Sequence, residues 1–289
     1  MQLTRRTALA PAAPAIRIPW TAGAWGSRSV VGVAALAGVF LALPVVVLVA
    51  RAVLDGSLGL ALTERVVLEG LVLSLSTTAV SLVITVVLGL PLAVVLARRS
   101  FRGIGLVEAM VDLPIVLPPS VAGLALLLVL GRRGLLGGPL DALGLEIPFT
   151  TLAVIVAQSF VSLPFFVRSA RAGIASVDRH LEDAARVDGA SEAQAFRHVT
   201  IPLASGALAA GLVMAWARSL GEFGATIMFA GNVAGRTQTL PLVVYGEFQG
   251  GDLNASIAAA AMLAVAAAGV LIAVRVLRWG RVLDVRGLG

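Results

Sequence analysis

The chain has 289 residues, 58% hydrophobic and 13% charged, with a mean hydropathy of +0.98. Soluble domains average about 25% charged residues, so this composition excludes an ordinary soluble domain and implies a polytopic membrane protein. The formal charge of +6 comes entirely from arginine among the basic side chains, for there is no lysine, and there is no cysteine. A lysine-bearing phosphate loop, thiol catalysis, disulfides and thiolate metal sites are therefore excluded.

The apolar runs are continuous and about 20 residues long, which suits helices rather than the alternating strands of a barrel. Residues 1–29 carry Arg5, Arg6, Arg17 and Arg28 and read as a basic cytoplasmic tail. Arg5-Arg6 faintly resembles a twin-arginine export signal, but Pro11, Pro14 and Pro19 interrupt the apolar core such a signal needs. A transmembrane domain is expected over 30–278. Its first span is expected at 30–52, with Pro44 inside it, and its second at 66–97, with Pro91. Neighbouring helices can satisfy the carbonyls that such prolines free.

The third span is expected at 106–130 and contains DLPIVLPPS, residues 112–120. Pro114, Pro118 and Pro119 should bend it. Two readings of Pro118, Pro119 and Ser120 are open: a shaped wall of a transport pathway, or a kinked packing helix. Asp112 at its inner end reads as an interfacial aspartate. The next segment, GRRGLLGGPLDALGLEIP (131–148), is Gly-rich and lacks the Lys-Ser/Thr ending of a phosphate loop. A short interfacial helix is expected at 140–145. The fourth span is expected at 149–170.

Between spans four and five lies a polar insert, RSARAGIASVDRHLEDAARVDGASEAQAFRHVTIP (168–202). Asp178 is a candidate N-cap, Leu181, Ala184, Ala185 and Val187 an apolar face, and Gly189 a helix stop. Ser191 opens a second turn. His180 and His198 show no metal spacing and read as loop residues. Such a knob suits docking into a groove on another protein, or it is only a solvated connection.

The fifth span is expected at 202–231. Arg218 and Glu222 fall inside it, four residues apart and hence on one helix face. Charges at bilayer depth are costly and mark a pathway or a buried pair. One reading has Arg218 offering positive potential to an anion in a translocation cavity while Glu222 sets the gate. The other has the two neutralising each other, or Glu222 capping a break near Gly221 and Gly224. The sixth span is expected at 253–277, with a small-residue surface over Ala258–Ala261 and 264–269, and residues 279–289 as a second tail. No internal repeat is visible, which weakens a secondary-transporter reading.

With the N-terminus inside, the cytoplasmic stretches hold 16 arginines and the external ones 5. That bias predicts six spans with both termini in the cytoplasm. It also accounts for the pI of 11.4 without a nucleic-acid partner.

The insert resembles the cytoplasmic signature of ABC-importer permeases, E-A-A, three residues, G, nine residues, I-x-L-P. Here it reads Asp183-Ala184-Ala185, three residues, Gly189, nine residues, then Val199-Thr200-Ile201-Pro202. Asp183 replaces the glutamate, with Glu182 beside it. The resemblance implies a type I importer fold: an all-α membrane protein of six spans with a coupling helix between the fourth and fifth, the coupling region being 177–201. It implies that Glu182, Asp183, Ala184, Ala185, Gly189 and Ala190 couple to a separate ATP-binding subunit. This chain then has no catalytic residues and no cofactor or metal of its own, with ATP and magnesium on the partner.

MVDLPIVLPPSVAGLALLL (110–128) and ARSLGEFGATIMFAGNVAGRTQTLPLVVY (217–245) resemble permeases of oxyanion importers. GEFGATIMFAGN followed by GRTQTLPL is most similar to the molybdate branch, with tungstate often sharing the route. The resemblance covers roughly residues 60–278. It implies a prokaryotic plasma-membrane assembly of two permease chains, two ATPase subunits and an extracytoplasmic binding protein. A sulfate or thiosulfate permease is the alternative, and a proton-coupled carrier a more distant one, since Glu222 alone among the span residues suits proton coupling.

Overall fold

The computed structural model describes residues 28–286, and the side chains of 273–286 lie outside that description, as do the N-terminal tail through Gly26-Ser27 and the last three residues. The described residues through Val46 form one compact unit and those from Val47 onward a second. The first is the opening part of helix α1 (Arg28–Leu54), apolar after Ser29 and with Pro44 inside it. An apolar helix satisfies nearly all of its own backbone, which is the condition for crossing lipid, and Pro44 frees one carbonyl.

The second unit is helical among its described residues. After the short α2 (Ser57–Ala61), α3 runs over Arg65–Arg98, and α4 (Ile104–Val116) and α5 (Pro119–Leu130) follow. Next come α6 (Gly137–Ala142), α7 (Thr151–Ala175), α8 (Arg179–Val187) and α9 (Glu192–Ala195). A π-helical turn, Phe196–Thr200, leads without a break into α10 (Ile201–Leu220). The chain ends through α11 (Gly224–Phe229), α12 (Leu240–Gly250) and α13 (Leu253–Arg286). Among the described residues, five helical stretches are long and apolar enough to span a bilayer, and six if α4 and α5 count as one broken span.

The core is built on α3, α7 and α10. Their polar residues turn inward. Ser74, Thr77, Thr78, Ser81 and Thr85 recur at three- and four-residue steps, so they share one face of α3, and all are buried. Val72, Val83, Val87 and Leu88 cover the outer side. The inward hydroxyls join helices: Ser81 Oγ donates to Ser219 Oγ at 3.1 Å, and Thr85 and Ser162 meet at 3.2 Å. Ser169 Oγ donates to the Ala207 carbonyl at 2.7 Å. Interhelical bonds of this kind are worth roughly 0.6 kcal/mol each in membranes.

Close backbone approach supplies the rest. A Cβ on Gly89 would lie 2.8 Å from Phe166, and one on Gly173 would lie 2.4 Å from the Ala207 methyl. Lipid gives no hydrophobic drive for helix association, so small residues that let backbones meet carry the packing.

Two expectations need correction. The third span is not one bent helix. α4 ends at Val116 and α5 starts at Pro119, turned by 118°. Leu117 and Pro118 each precede a proline, which disfavours helical ψ, and they sit at ψ of 133° and 135°. One proline is absorbed inside α1, α3, α4 and α7; two in succession are not. The fifth span likewise stops at Leu220, eleven residues before the end expected for it, and resumes as the single short helix α11. Smaller differences are α6, three residues upstream of the helix expected at 140–145, and α12, which lies between the fifth and sixth expected spans. α13 continues as helix through most of the segment expected as a C-terminal tail.

Candidate functional site

The insert between α7 and α10 is organised by local rules. Asp178 accepts a hydrogen bond from the His180 N–H at 3.0 Å and starts α8. At the other end the Gly189 N–H donates to the Arg186 carbonyl and the Ala190 N–H to the Ala185 carbonyl, at 3.0 and 2.9 Å. That pair of bonds is a Schellman closure, and it puts Gly189 at φ +94°. Ser191 and Gln194 then form a reciprocal capping box that starts α9. The apolar side chains of α8 face outward: Leu181 is half exposed and Val187 is 87% exposed.

The two adjacent acids point in different directions. The Asp183 side chain is 60% exposed and among the described residues pairs with Arg186 alone, at 2.6 Å. Glu182 is turned back into its own chain, with 12% of its side chain exposed. Its Oε1 accepts from Arg98 Nη2 and from Thr200 Oγ1, each at 2.5 Å. Ala184 is exposed, while Ala185 and Ala190 are half-buried.

The second cluster forms where the two broken spans meet. α11 packs against α5. A Cβ on Gly224 would lie 2.7 Å from Pro119 and 3.1 Å from the Ser120 nitrogen, so these residues, about a hundred apart in sequence, touch. Gly123, not singled out in the sequence, sits one turn further along α5. A Cβ there would lie 2.6 Å from the Ala225 carbonyl oxygen and 2.8 Å from Met228. Gly221 is less confined, with the Ala217 carbonyl 3.4 Å from its notional Cβ. Pro118 is the extended residue of the turn itself.

Glu222 lies fully buried in this junction. Its Oε1 accepts from the Ala225 N–H at 2.6 Å and so caps the start of α11. Its Oε2 lies 2.5 Å from Arg218 Nη1, an ion pair without the alignment of a hydrogen bond. The Arg218 side chain is 27% exposed, so one end of the pair reaches the surface of this chain. Both structural readings of the pair therefore occur together: neutralisation and capping. The Phe223 ring packs on Tyr245, with centroids 5.1 Å apart. Next to the junction, both amide atoms of buried Gln158, and the hydroxyls of Thr78 and Thr226, make no hydrogen bond with the described groups.

Ion pairs also link α4 to α7. Arg171 meets Glu108 at 2.6 Å and Arg168 meets Asp112 at 3.5 Å. In the segment outside the spans, Glu146 hydrogen-bonds Arg132 and, by that bond first and its charge second, raises the guanidinium above its usual value.

Residues 86–286 match the family described as binding-protein-dependent transport system inner membrane component. The chain belongs to that family. The match includes the insert and both broken spans. This family membership bears out the resemblance to ABC-importer permeases that the spacing from Asp183 to Pro202 carries. Among its relatives, the molybdenum transport system permease protein ModB of Mycobacterium tuberculosis is 42% identical over 241 residues, covering 83% of this chain and 90% of that one. The sulfate transport system permease protein CysT of Salmonella typhimurium is 38% identical over 197 residues, covering 68% and 71%. In three dimensions the chain resembles a bacterial ABC transporter involved in import of the acidic polysaccharide alginate. The TM-score is 0.68 at 17% identity, over 86% of this chain and 93% of that one. At that identity the likeness concerns the fold, which is that of an ABC-importer permease.

Arg98 and Thr200 were missed as site residues. Arg98 entered the sequence reading only as a topology marker, and Thr200 occupies the unspecified position of the signature. Nothing in the spacing shows that both converge on Glu182.

Proposed function

We propose that this chain is the transmembrane subunit of an ATP-driven importer that carries molybdate, and tungstate with it, across the plasma membrane by alternating access. The observation that carries the reading is the 42% identity to a molybdenum permease over 90% of that protein's length. The sulfate relative is less similar and covers less of both chains. A dianion moving inward against 100 mV, negative inside, meets an electrical cost of about 2 × 2.3 = 4.6 kcal/mol. That cost calls for a coupled energy source.

Two copies of this chain, two ATP-binding subunits and an extracytoplasmic binding protein make up the assembly. ATP and magnesium bind the partner subunits. Both termini face the cytoplasm, as the arginine bias requires. The exposed face of α8, with Asp183, Ala184 and Val187, then meets the ATPase. The junction of Pro118, Pro119 and Ser120 with Gly221, Glu222 and Gly224 borders the pathway, and the exposed end of Arg218 supplies positive potential to the passing anion.

The test is uptake of radiolabelled molybdate at nanomolar concentration, in cells with and without this gene, against excess sulfate or tungstate. The expected result is loss of high-affinity uptake that tungstate blocks and sulfate does not. Unchanged molybdate uptake with loss of sulfate uptake overturns the molybdate assignment in favour of sulfate. Uptake by this chain alone in vesicles, driven by a proton gradient, overturns the ATP-driven reading.

A further inference from the structure

We infer that Arg98, Glu182 and Thr200 form the joint through which movement of the 178–200 insert reaches the membrane helices, with Glu182 a positioning residue facing its own chain. The inference rests on the coupling role proposed above for that insert.

Helix α8 has no buried residue. Apolar packing therefore does little to fix it to the rest of the molecule, and polar bonds must do so. Two of those bonds, one from each of two core elements, meet on one carboxylate oxygen. Arg98 stands at the last residue of α3, and Thr200 at the last residue of the π-helical turn that feeds α10. Both donate to Glu182 Oε1 at 2.5 Å. Bonds to a charged acceptor are about twice as strong as neutral ones.

The attachment is reciprocal. The second Arg98 amine donates to the Val177 carbonyl at 3.4 Å, just before α8, and Arg179 returns a bond to the Arg98 carbonyl at 3.2 Å. The Arg98 and Glu182 side chains are 16% and 12% exposed, so water competes little for this pair.

The position of the joint gives it mechanical meaning. α3 and α10 are two of the three helices in the tightly packed core, and Glu182 holds the ends of both. A force on the exposed face of α8 reaches the ends of α3 and α10 through this side chain, with the Arg98–Val177 and Arg179–Arg98 bonds beside it. The π-helical turn lies between insert and core, and such single turns are rare and frequent at functional sites. Asp183, next door in sequence, has no bond to either helix and is left to face outward.

The experiment uses the whole complex, this chain with the ATPase that co-purifies with it and its binding protein, in proteoliposomes. It reads molybdate moved per ATP hydrolysed. Glu182→Gln is expected to lower that ratio about tenfold, within the range of allosteric coupling energies. The charge-reversed double variant R98E/E182R is expected to recover much of it. An unaltered ratio in E182Q overturns the joint, and so does a parallel fall of transport and hydrolysis with no rescue. Should E182Q not assemble, Thr200→Val reads the same joint while keeping the side chain's shape, and an unaltered ratio there overturns it equally. A wild-type complex with no ATP-dependent uptake overturns the importer reading and this one with it; wild-type coupling with an unaltered variant ratio overturns this one alone.

Discussion

The cytoplasmic insert and the junction of the broken spans are built on opposite principles. The insert is held by short-range devices: an Asx cap, a Schellman closure and a capping box, each within six residues. It buries little and is tied to the core through polar bonds. The junction is held by contacts between residues about a hundred positions apart, at distances that admit no extra atom. It buries a carboxylate whose partners are its own arginine and a backbone amide. A device made of local caps keeps its own shape as it moves and passes that motion to the bundle through its polar bonds. A device made of backbone contact moves only if both helices move together.

Five substitutions sharpen or break this contrast. Glu222→Ala should have the largest effect on stability, about 3 kcal/mol. It leaves Arg218 uncompensated and the start of α11 uncapped; the partial exposure of Arg218 holds the loss to the lower part of the range for a broken buried pair. Thermal melting of the purified chain in detergent measures it, and a melting temperature equal to wild type would refute the buried-pair account.

Gly123→Ala comes next, at about 2 kcal/mol, because the new methyl meets backbone that cannot swing aside. Gly221→Ala is its control, and should shift the melting temperature little, since its notional Cβ makes only an ordinary contact. Equal effects at the two glycines would remove the case for a close-packed junction. Gly189→Ala should cost about 1–2 kcal/mol, from the left-handed backbone that α8's closure requires. In the insert this loss stays local: transport should fall while the melting of the bundle barely moves. If the whole chain loses stability instead, the insert is not separable from the core. Smallest of all is Arg132→Ala, whose exposed ion pair with Glu146 should leave the melting temperature unchanged.

The sequence was informative where physics is local. Continuous apolar runs specify helices by length alone, and Asp178, Gly189 and Ser191 are legible because each acts on backbone within a few residues. DLPIVLPPS showed that a bend was due. It did not show a 118° turn, because that angle depends on both Leu117 and Pro118 being held extended and on α11 filling the space beside α5. Arg218 and Glu222 were identifiable as a pair from their spacing. The capping of Ala225 by Glu222 was one option among several, since neither Gly221 nor Gly224 by itself shows where the helix stops. Glu182 and Asp183 are interchangeable on paper. Only the approach of Arg98 and Thr200, 84 and 18 residues away, separates their tasks.

The spacing of Arg218 and Glu222 also bears on how the chain is made. α3 and α7 are synthesised well before α10, and the three-helix block is incomplete until residues near 220 have left the ribosome. At about 5–20 residues per second, the 45 residues between the ends of α7 and α10 take several seconds. An unpaired arginine inside the bilayer is costly, and Arg218 enters on the last turn of α10. Its neutralising partner follows four residues later on the same strand of nascent chain, so the pair can close during insertion without waiting for any other helix. A partner on α3 or α7 would have had to lie buried and unpaired through that interval.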